Sequence, residues 1–173
     1  MYNLSYADSG SKSAFYYIDE KRGFKEFEHK DDAEHARETQ LTLARYNLAP
    51  KVLSEVGRIR LPENNVYDEK FSGWGYITET AEVLGCGGND CACGECEDLY
   101  DRMLSRIEKL SSKIEEVGYS FVDNHIDNVG YIRRRGRKVL VCIDTGYESV
   151  FNDGGDYDGG CSCSACQRYR ESN

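Results

Sequence analysis

The sequence has no long apolar run. Its longest uninterrupted apolar stretch, residues 139–143, is far shorter than the roughly 20 residues that a membrane-spanning helix needs. The opening residues also lack the basic and then apolar layout of a secretory signal. We therefore expect a soluble, cytoplasmic protein with no membrane partner, in which reducing conditions disfavour a disulfide framework.

The sequence also has fewer basic than acidic residues. The 173 residues include 22 Lys and Arg against 31 Asp and Glu, which gives a net charge of −9. Sequence-independent binding to nucleic acid requires a basic surface, so the composition makes nucleic acid an unfavoured partner. A local basic cluster at 133–138 lies on a turn without interleaved aromatic residues, which favours a solvated turn. The length suits one ordinary domain, or one small domain with a metal-bound appendage.

The two prolines leave most of the chain free to form helices and strands. Residues 14–18 and 24–27 are rich in β-formers and flank a polar turn, which predicts a hairpin with Lys25 and Phe27 on one face. Further strands are predicted at 51–53, 73–79, 129–133 and 138–143.

Two segments carry the spacing of amphipathic helices. An apolar stripe predicts a first helix over 31–48, opened by Asp31 and Glu34 in the manner of a capping box. Apolar residues at steps of three and four predict a longer helix over 97–117, ended by Gly118. This mixture of strands and helices predicts an α+β fold.

A group of polar residues follows the long helix. Asp123 and Asn128 lie five positions apart, and Asp144-Thr145-Gly146 comes directly after the last apolar strand. In this order the sequence resembles the protein-kinase-like superfamily, whose catalytic loop has an Asp and an Asn at this spacing and whose metal-binding Asp follows a short hairpin. With its cysteine-rich insertion, the chain resembles a minimal, truncated phage or bacterial type. His125 is more similar to small-molecule and atypical kinases than to common protein kinases.

The resemblance implies a catalytic role for three residues. Lys25 occupies the place of the ATP-contacting lysine on the third strand. Glu38, in the first helix, occupies the place of its ion-pair partner, and Glu34, one turn earlier on the same face, is the alternative. Asp123 would accept the proton of the attacking hydroxyl.

The resemblance also implies residues that hold ATP and Mg²⁺. Gly10 and Ser11 occupy the place of the glycine-rich loop, and Glu79 resembles part of the hinge where adenine bonds to the backbone. Asn128 and Asp144 would hold Mg²⁺ across the phosphates, because amide and carboxylate oxygens suit this ion.

The implied architecture is a minimal, two-lobed protein-kinase-like fold. An N-terminal lobe with an antiparallel sheet and one helix spans 1–80, a reduced helical lobe spans 81–150, and an acidic, glycine-rich tail spans 151–173. The sequence departs from the family at 121–122, where Phe-Val replaces His-Arg, and at Thr145, which replaces Phe. Only a short stretch follows the Asp-Thr-Gly, so we expect the supporting helices of the second lobe to be missing.

The eight cysteines predict a metal site. Two segments, 91–96 and 161–166, share the pattern Cys-x-Cys-x-x-Cys, and two such knuckles complete a tetrahedral Zn²⁺ site that could substitute for the missing helices. Free or disulfide-paired thiols are the alternative. Cys142 lies in an apolar strand and is expected to be an inert core residue. The predicted single-ion set is Cys93, Cys96, Cys163 and Cys166, and a second site or a cluster would use Cys86, Cys91 and Cys161.

These features predict an ATP- and Mg²⁺-dependent phosphotransferase that acts on a hydroxyl, with Ser or Thr of a partner protein as the favoured acceptor. If the gene is carried by a phage, the host cytoplasm is the expected compartment. The alternative is a catalytically inactive, zinc-stapled pseudokinase that binds a regulatory partner. A third interpretation is a zinc-containing nucleic-acid factor that uses the basic turn at 133–138.

Overall fold

The computed structural model describes residues 5–9, 13–58, 73–84 and 94–152 of the chain. Within these ranges it contains ten strands, two α-helices and one short 3-10 helix, so the predicted α+β class is confirmed. Neither of these α-helices is long and apolar enough to span a membrane. The helices are α1, Lys30–Arg45, α2, Gly94–Glu115, and the 3-10 helix, Ile126–Asn128.

A five-stranded antiparallel sheet forms the N-terminal part, with the strand order β1-β2-β3-β5-β4. Strands β2 and β3 are the predicted hairpin, whereas the predicted strand at 51–53 is reduced to a single bridge between Val52 and Thr78. Helix α1 lies between β3 and β4 in the sequence and packs against β3 and β5. The strands are β1 Ser5–Ser9, β2 Ser13–Tyr17, β3 Arg22–Phe27, β4 Gly57–Arg58 and β5 Trp74–Glu79.

Helix α1 has different ends from those that the sequence suggested. His29 is its N-cap and makes no side-chain capping bond, and Glu34 pairs with Lys30 at 2.8 Å, so the predicted Asp31–Glu34 capping box does not form. At the other end Asn47 has a φ of 59°, and the N–H of Leu48 donates to the carbonyl of Leu43 at 3.0 Å. This Schellman geometry ends the helix before the predicted boundary and turns Leu48 into the core.

Two smaller sheets accompany α2 in the second part of the chain. The hairpin of β8 and β9 turns over Arg135 and Gly136, whose φ values of 49° and 79° are those of a type I′ turn. One sheet has the order β6-β8-β9, and the other pairs β7 with β10. The strands are β6 Glu82–Val83, β7 Tyr119–Phe121, β8 Val129–Arg134, β9 Arg137–Cys142 and β10 Val150–Asn152.

The largest apolar core joins the end of α1, helix α2 and the small sheets. The middle of the predicted stripe of α2 is buried and its two ends, Leu99 and Val117, are partly buried. Gly118, with a φ of 85°, follows the last turn of the helix as expected. Burying each large aliphatic side chain stabilises the fold by about 2 kcal/mol. The core therefore holds the chain on both sides of the polar segments at 122–128 and 143–149. Its buried members include Leu43, Leu48, Met103, Ile107, Leu110, Ile114, Phe121, Ile126, Val129, Cys142 and Val150.

Candidate functional site

Lys25 is a buried cation in the middle of the five-stranded sheet. Its side chain is 8% exposed, and its Nζ lies 5.6 Å from the centre of the Phe27 ring on the same face. Nζ donates to Asp144 Oδ1 at 2.8 Å and to the carbonyl of Ile143 at 3.3 Å. Burial opposes the charge, but the Asp144 carboxylate outweighs it and raises the pKa of Lys25. The lysine is therefore charged and connects residues 119 positions apart.

Glu38, the predicted partner of Lys25, lies on an exposed face of α1. Among the described residues Lys25 forms its ion pair with Asp144 and not with Glu38, and the alternative, Glu34, pairs with Lys30. Lys25 does not pair with a carboxylate of α1 because the face of α1 that meets the sheet carries small and neutral residues such as Ala36 and Gln40. The charge that neutralises Lys25 comes from the segment after β9.

Asp144 is held by donors on both of its carboxylate oxygens. Oδ1 accepts from Lys25 and from the N–H of Gly146 at 3.2 Å, and Oδ2 accepts from the Ser149 hydroxyl at 2.5 Å. Burial favours the neutral acid, but the charge of Lys25 and these hydrogen bonds prevail and lower the pKa of Asp144 to about 2. The side chain is still 32% exposed, so an ionised carboxylate is open to an incoming ligand.

Asp123 and Asn128 form the second half of the site. The Nδ2 of Asn128 donates to the carbonyl of Asp123 at 3.0 Å and to its Oδ2 at 2.7 Å. The loop between them is tightened by two backbone bonds, from His125 N–H to Asp123 at 2.9 Å and from Asn128 N–H to His125 at 3.1 Å. Asp123 is exposed and Asn128 is partly buried. The amide thus orients a carboxylate that faces solvent.

Two backbone hydrogen bonds place this loop beside the segment that carries Asp144. The N–H of Val122 donates to the carbonyl of Ser149 at 3.0 Å, and the N–H of Ile143 donates to the carbonyl of Asn128 at 2.9 Å. One bond joins the start of segment 122–128 to the end of segment 143–149, and the other joins the end of the first to the start of the second. The fold thereby gathers Asp123, Asn128 and Asp144 in one place, and the ion pair adds Lys25.

A buried polar network, which the sequence did not reveal, attaches Thr145 to α1. The hydroxyl of Thr145 donates to the carbonyl of Ala36 at 3.0 Å, and the hydroxyl of Tyr76 donates to Gln40 Oε1 at 2.8 Å. The Nε2 of Gln40 donates to Thr78 Oγ1 at 2.5 Å and to the carbonyl of Pro50. Phe at position 145 would lack this hydroxyl. Gln40 lies at steps of four and three from Ala36 and Leu43, on the buried face of α1. This spacing is the sequence signal that could have identified Gln40 as a buried polar residue.

Glu79 joins two parts of the protein. Its carboxylate forms a bidentate pair with the Arg134 guanidinium, with both N–O distances at 2.5 Å. Burial would raise the pKa of Glu79, but the bonds from Arg134 and from the N–H of Lys51 lower it. Its own N–H donates to the carbonyl of Lys51 at 2.8 Å. The Glu79 carboxylate and N–H are therefore both engaged within the protein, and the contact of the Glu79 backbone with adenine stays a prediction.

Most residues of the predicted zinc site, and Gly10 and Ser11, lie outside the described residues. Cys96 falls in the first turn of α2, but its side chain is outside the description. Cys142 is a buried free thiol, as expected, and burial raises the pKa of this group. Within the described ranges, no group of three or more His, Cys, Asp or Glu could hold a metal. The other cysteines outside these ranges are Cys86, Cys91, Cys93, Cys161, Cys163 and Cys166.

Comparisons with known proteins do not identify a family for this chain. No family model, no curated protein and no solved structure matches the chain. A functional assignment therefore depends on the order of the motifs and on the geometry of the site.

Proposed function

We propose that the chain is a minimal kinase-like phosphotransferase that moves the γ-phosphate of ATP to a hydroxyl group, with Ser or Thr of a protein as the favoured acceptor. The observation that carries the proposal is that Lys25, Asp123, Asn128 and Asp144, from three distant segments, are joined by hydrogen bonds, an ion pair and backbone contacts. Phosphoryl transfer depends mainly on positioning and on neutralising phosphate charge, and these side chains supply both.

Lys25 is suited to hold a phosphate oxygen. An ammonium group has three hydrogens, and two of them have acceptors at Asp144 and Ile143. One hydrogen is left for a nucleotide oxygen without breaking the pair. The raised pKa of Lys25 keeps the group cationic throughout the physiological range.

Asn128 and Asp144 are suited to hold Mg²⁺. The Nδ2 group of Asn128 donates to Asp123, which leaves the Oδ1 of Asn128 as an acceptor. Asp144 is ionised and partly exposed. Hard oxygen ligands of this kind are those that Mg²⁺ prefers. Bound there, the ion would neutralise the charge of the phosphates.

Asp123 is suited to act as the general base. Asn128 occupies its Oδ2, and the other carboxylate oxygen has no hydrogen-bond partner among the described residues. That oxygen can accept the proton of the attacking hydroxyl, and the Asn128 bond holds it in one orientation.

The proposal is tested by measuring Mg²⁺-dependent transfer of labelled phosphate from ATP, both to the protein itself and to a mixed protein acceptor. We expect Asp123→Asn to lower turnover by about 100-fold or more while ATP binding persists. Lys25→Met should abolish the thermal shift given by Mg-ATP, and its matched control, Lys21→Met on the exposed turn, should not. A wild-type protein that binds no nucleotide would contradict the proposal.

A second candidate is the zinc-stapled pseudokinase, and the position of Glu38 favours it. No described carboxylate other than Asp144 pairs with Lys25, so the lysine lacks a partner that is independent of the metal-binding position. This candidate predicts no phosphate transfer and a melting temperature that falls when zinc is removed by a chelator. Mg²⁺-dependent phosphate transfer by the wild-type protein separates the two, since only the phosphotransferase predicts it.

A further inference from the structure

A groove of about 450 Å³ lies between α2, the end of α1 and β9. None of its lining residues belongs to the candidate site. Leu48 and Leu110 form a buried apolar floor, which Val117 and Leu140 extend. Tyr46 lines the groove and is 59% exposed. An apolar floor beside an exposed aromatic ring is suited to take up apolar side chains of a partner.

The α2 wall of this groove is cationic. Arg106, Lys109 and Lys113 follow one another at steps of three and four and therefore lie on one face of the helix. Arg106 is held by a hydrogen bond to the Tyr131 hydroxyl at 2.8 Å. Neither Lys109 nor Lys113 has an ion-pair partner in the described ranges, and Glu116 is the acidic residue of the lining. Like charges at these spacings destabilise a helix, and a bound anion removes the repulsion.

We propose that this groove, which we call the α2 groove, binds an acidic segment of a partner protein. Carboxylates of the segment pair with Lys109 and Lys113, and a neighbouring apolar side chain packs on the floor. The lining of the groove has more cations than anions, although the whole chain has a net charge of −9. This local positive charge complements an acidic partner. A peptide fits better than a nucleic acid, because a phosphate backbone leaves the apolar floor unused.

The test uses the full-length protein and a fluorescein-labelled synthetic peptide of alternating Glu and Leu, with binding followed by anisotropy. We expect saturable binding that weakens as salt rises. Lys109→Gln with Lys113→Gln should lower the affinity by about tenfold, as expected for two lost charge contacts. The matched control, Lys21→Gln with Lys51→Gln, removes two exposed lysines outside the groove and should leave the affinity within about twofold.

Further arms test the floor and the class of partner. Tyr46→Ser, or replacement of Leu by Ser in the peptide, should also weaken binding, because the apolar contact is lost. Gln is a good helix former, so circular dichroism should show an unchanged fold in the Lys→Gln variants. Equal binding to both double variants, no binding to wild type, or displacement of the peptide by a single-stranded oligonucleotide at physiological salt would overturn the proposal.

Discussion

The two halves of the candidate site are built in different ways. Lys25 and Asp144 form a largely buried ion pair, supported by further hydrogen bonds to the carboxylate. Asp123 and Asn128 form a hydrogen-bonded pair in an open loop, with Asp123 exposed. Removing one member of a buried pair leaves a charge without compensation, whereas an exposed group can be rehydrated. In the proposed phosphotransferase, the first half therefore serves both stability and chemistry, and the second half serves chemistry alone.

The largest expected effect comes from Asp144→Asn. This change leaves the Lys25 ammonium, only 8% exposed, without its counter-charge and should lower the free energy of unfolding by about 3 kcal/mol. Urea denaturation measures the loss. Combining it with Lys25→Met should cost less than the sum of the two single changes, because the double variant buries no unpaired charge. Additive losses would mean that the two groups do not interact.

The pH dependence of stability follows from the same pair. Since the pKa of folded Asp144 is about 2, below the usual value for Asp, the unfolded chain binds more protons between these two values. The stabilisation is complete above about pH 4 and is lost as the pH falls towards 2. Asp144→Asn should remove this part of the acid dependence. Asp31→Asn, in the first turn of α1, is the control that should retain it.

Ser149→Ala should have an intermediate effect. It removes the hydroxyl that donates to Asp144 Oδ2 and should cost about 1–2 kcal/mol, as for a hydrogen bond to a charged group. The pKa of Asp144 should rise, so acid unfolding should begin at a higher pH. Ser112→Ala, at an exposed helix position, is the matched control and should not move the acid transition. An unchanged midpoint in Ser149→Ala would show that the Ser149 hydroxyl does not contribute to the ionisation of Asp144.

Asp123→Asn should have the smallest effect on stability. The exposed carboxylate can be replaced by an amide with a change of about 0.5 kcal/mol or less, while the proposed general-base function is lost. Chemical denaturation and phosphate transfer, measured on the same preparation, check this separation. A loss of stability as large as that of Asp144→Asn would contradict the view that the two halves of the site contribute differently to stability.

Several parts of this organisation could be read from local sequence patterns. The steps of three and four in α2 gave its buried face, and the β-rich segments around a polar turn gave the β2–β3 hairpin. Lys25, alternating with Phe27, was correctly expected to share a face with an apolar neighbour. The partner of Lys25 could not be read in this way, because Asp144 is 119 positions away and the pairing depends on how the two parts pack.

The sequence by itself determined the α+β class, the main helix and hairpin positions, and the presence of chemically suitable residues at Lys25, Asp123, Asn128 and Asp144. These properties follow from short-range periodicity and residue type, which are local. Tertiary structure alone decided that Asp144, and not Glu38, neutralises Lys25. The physical reason is that a buried charge pairs with whichever opposite charge the packed core brings within hydrogen-bonding distance, and spacing along a helix does not encode that distance.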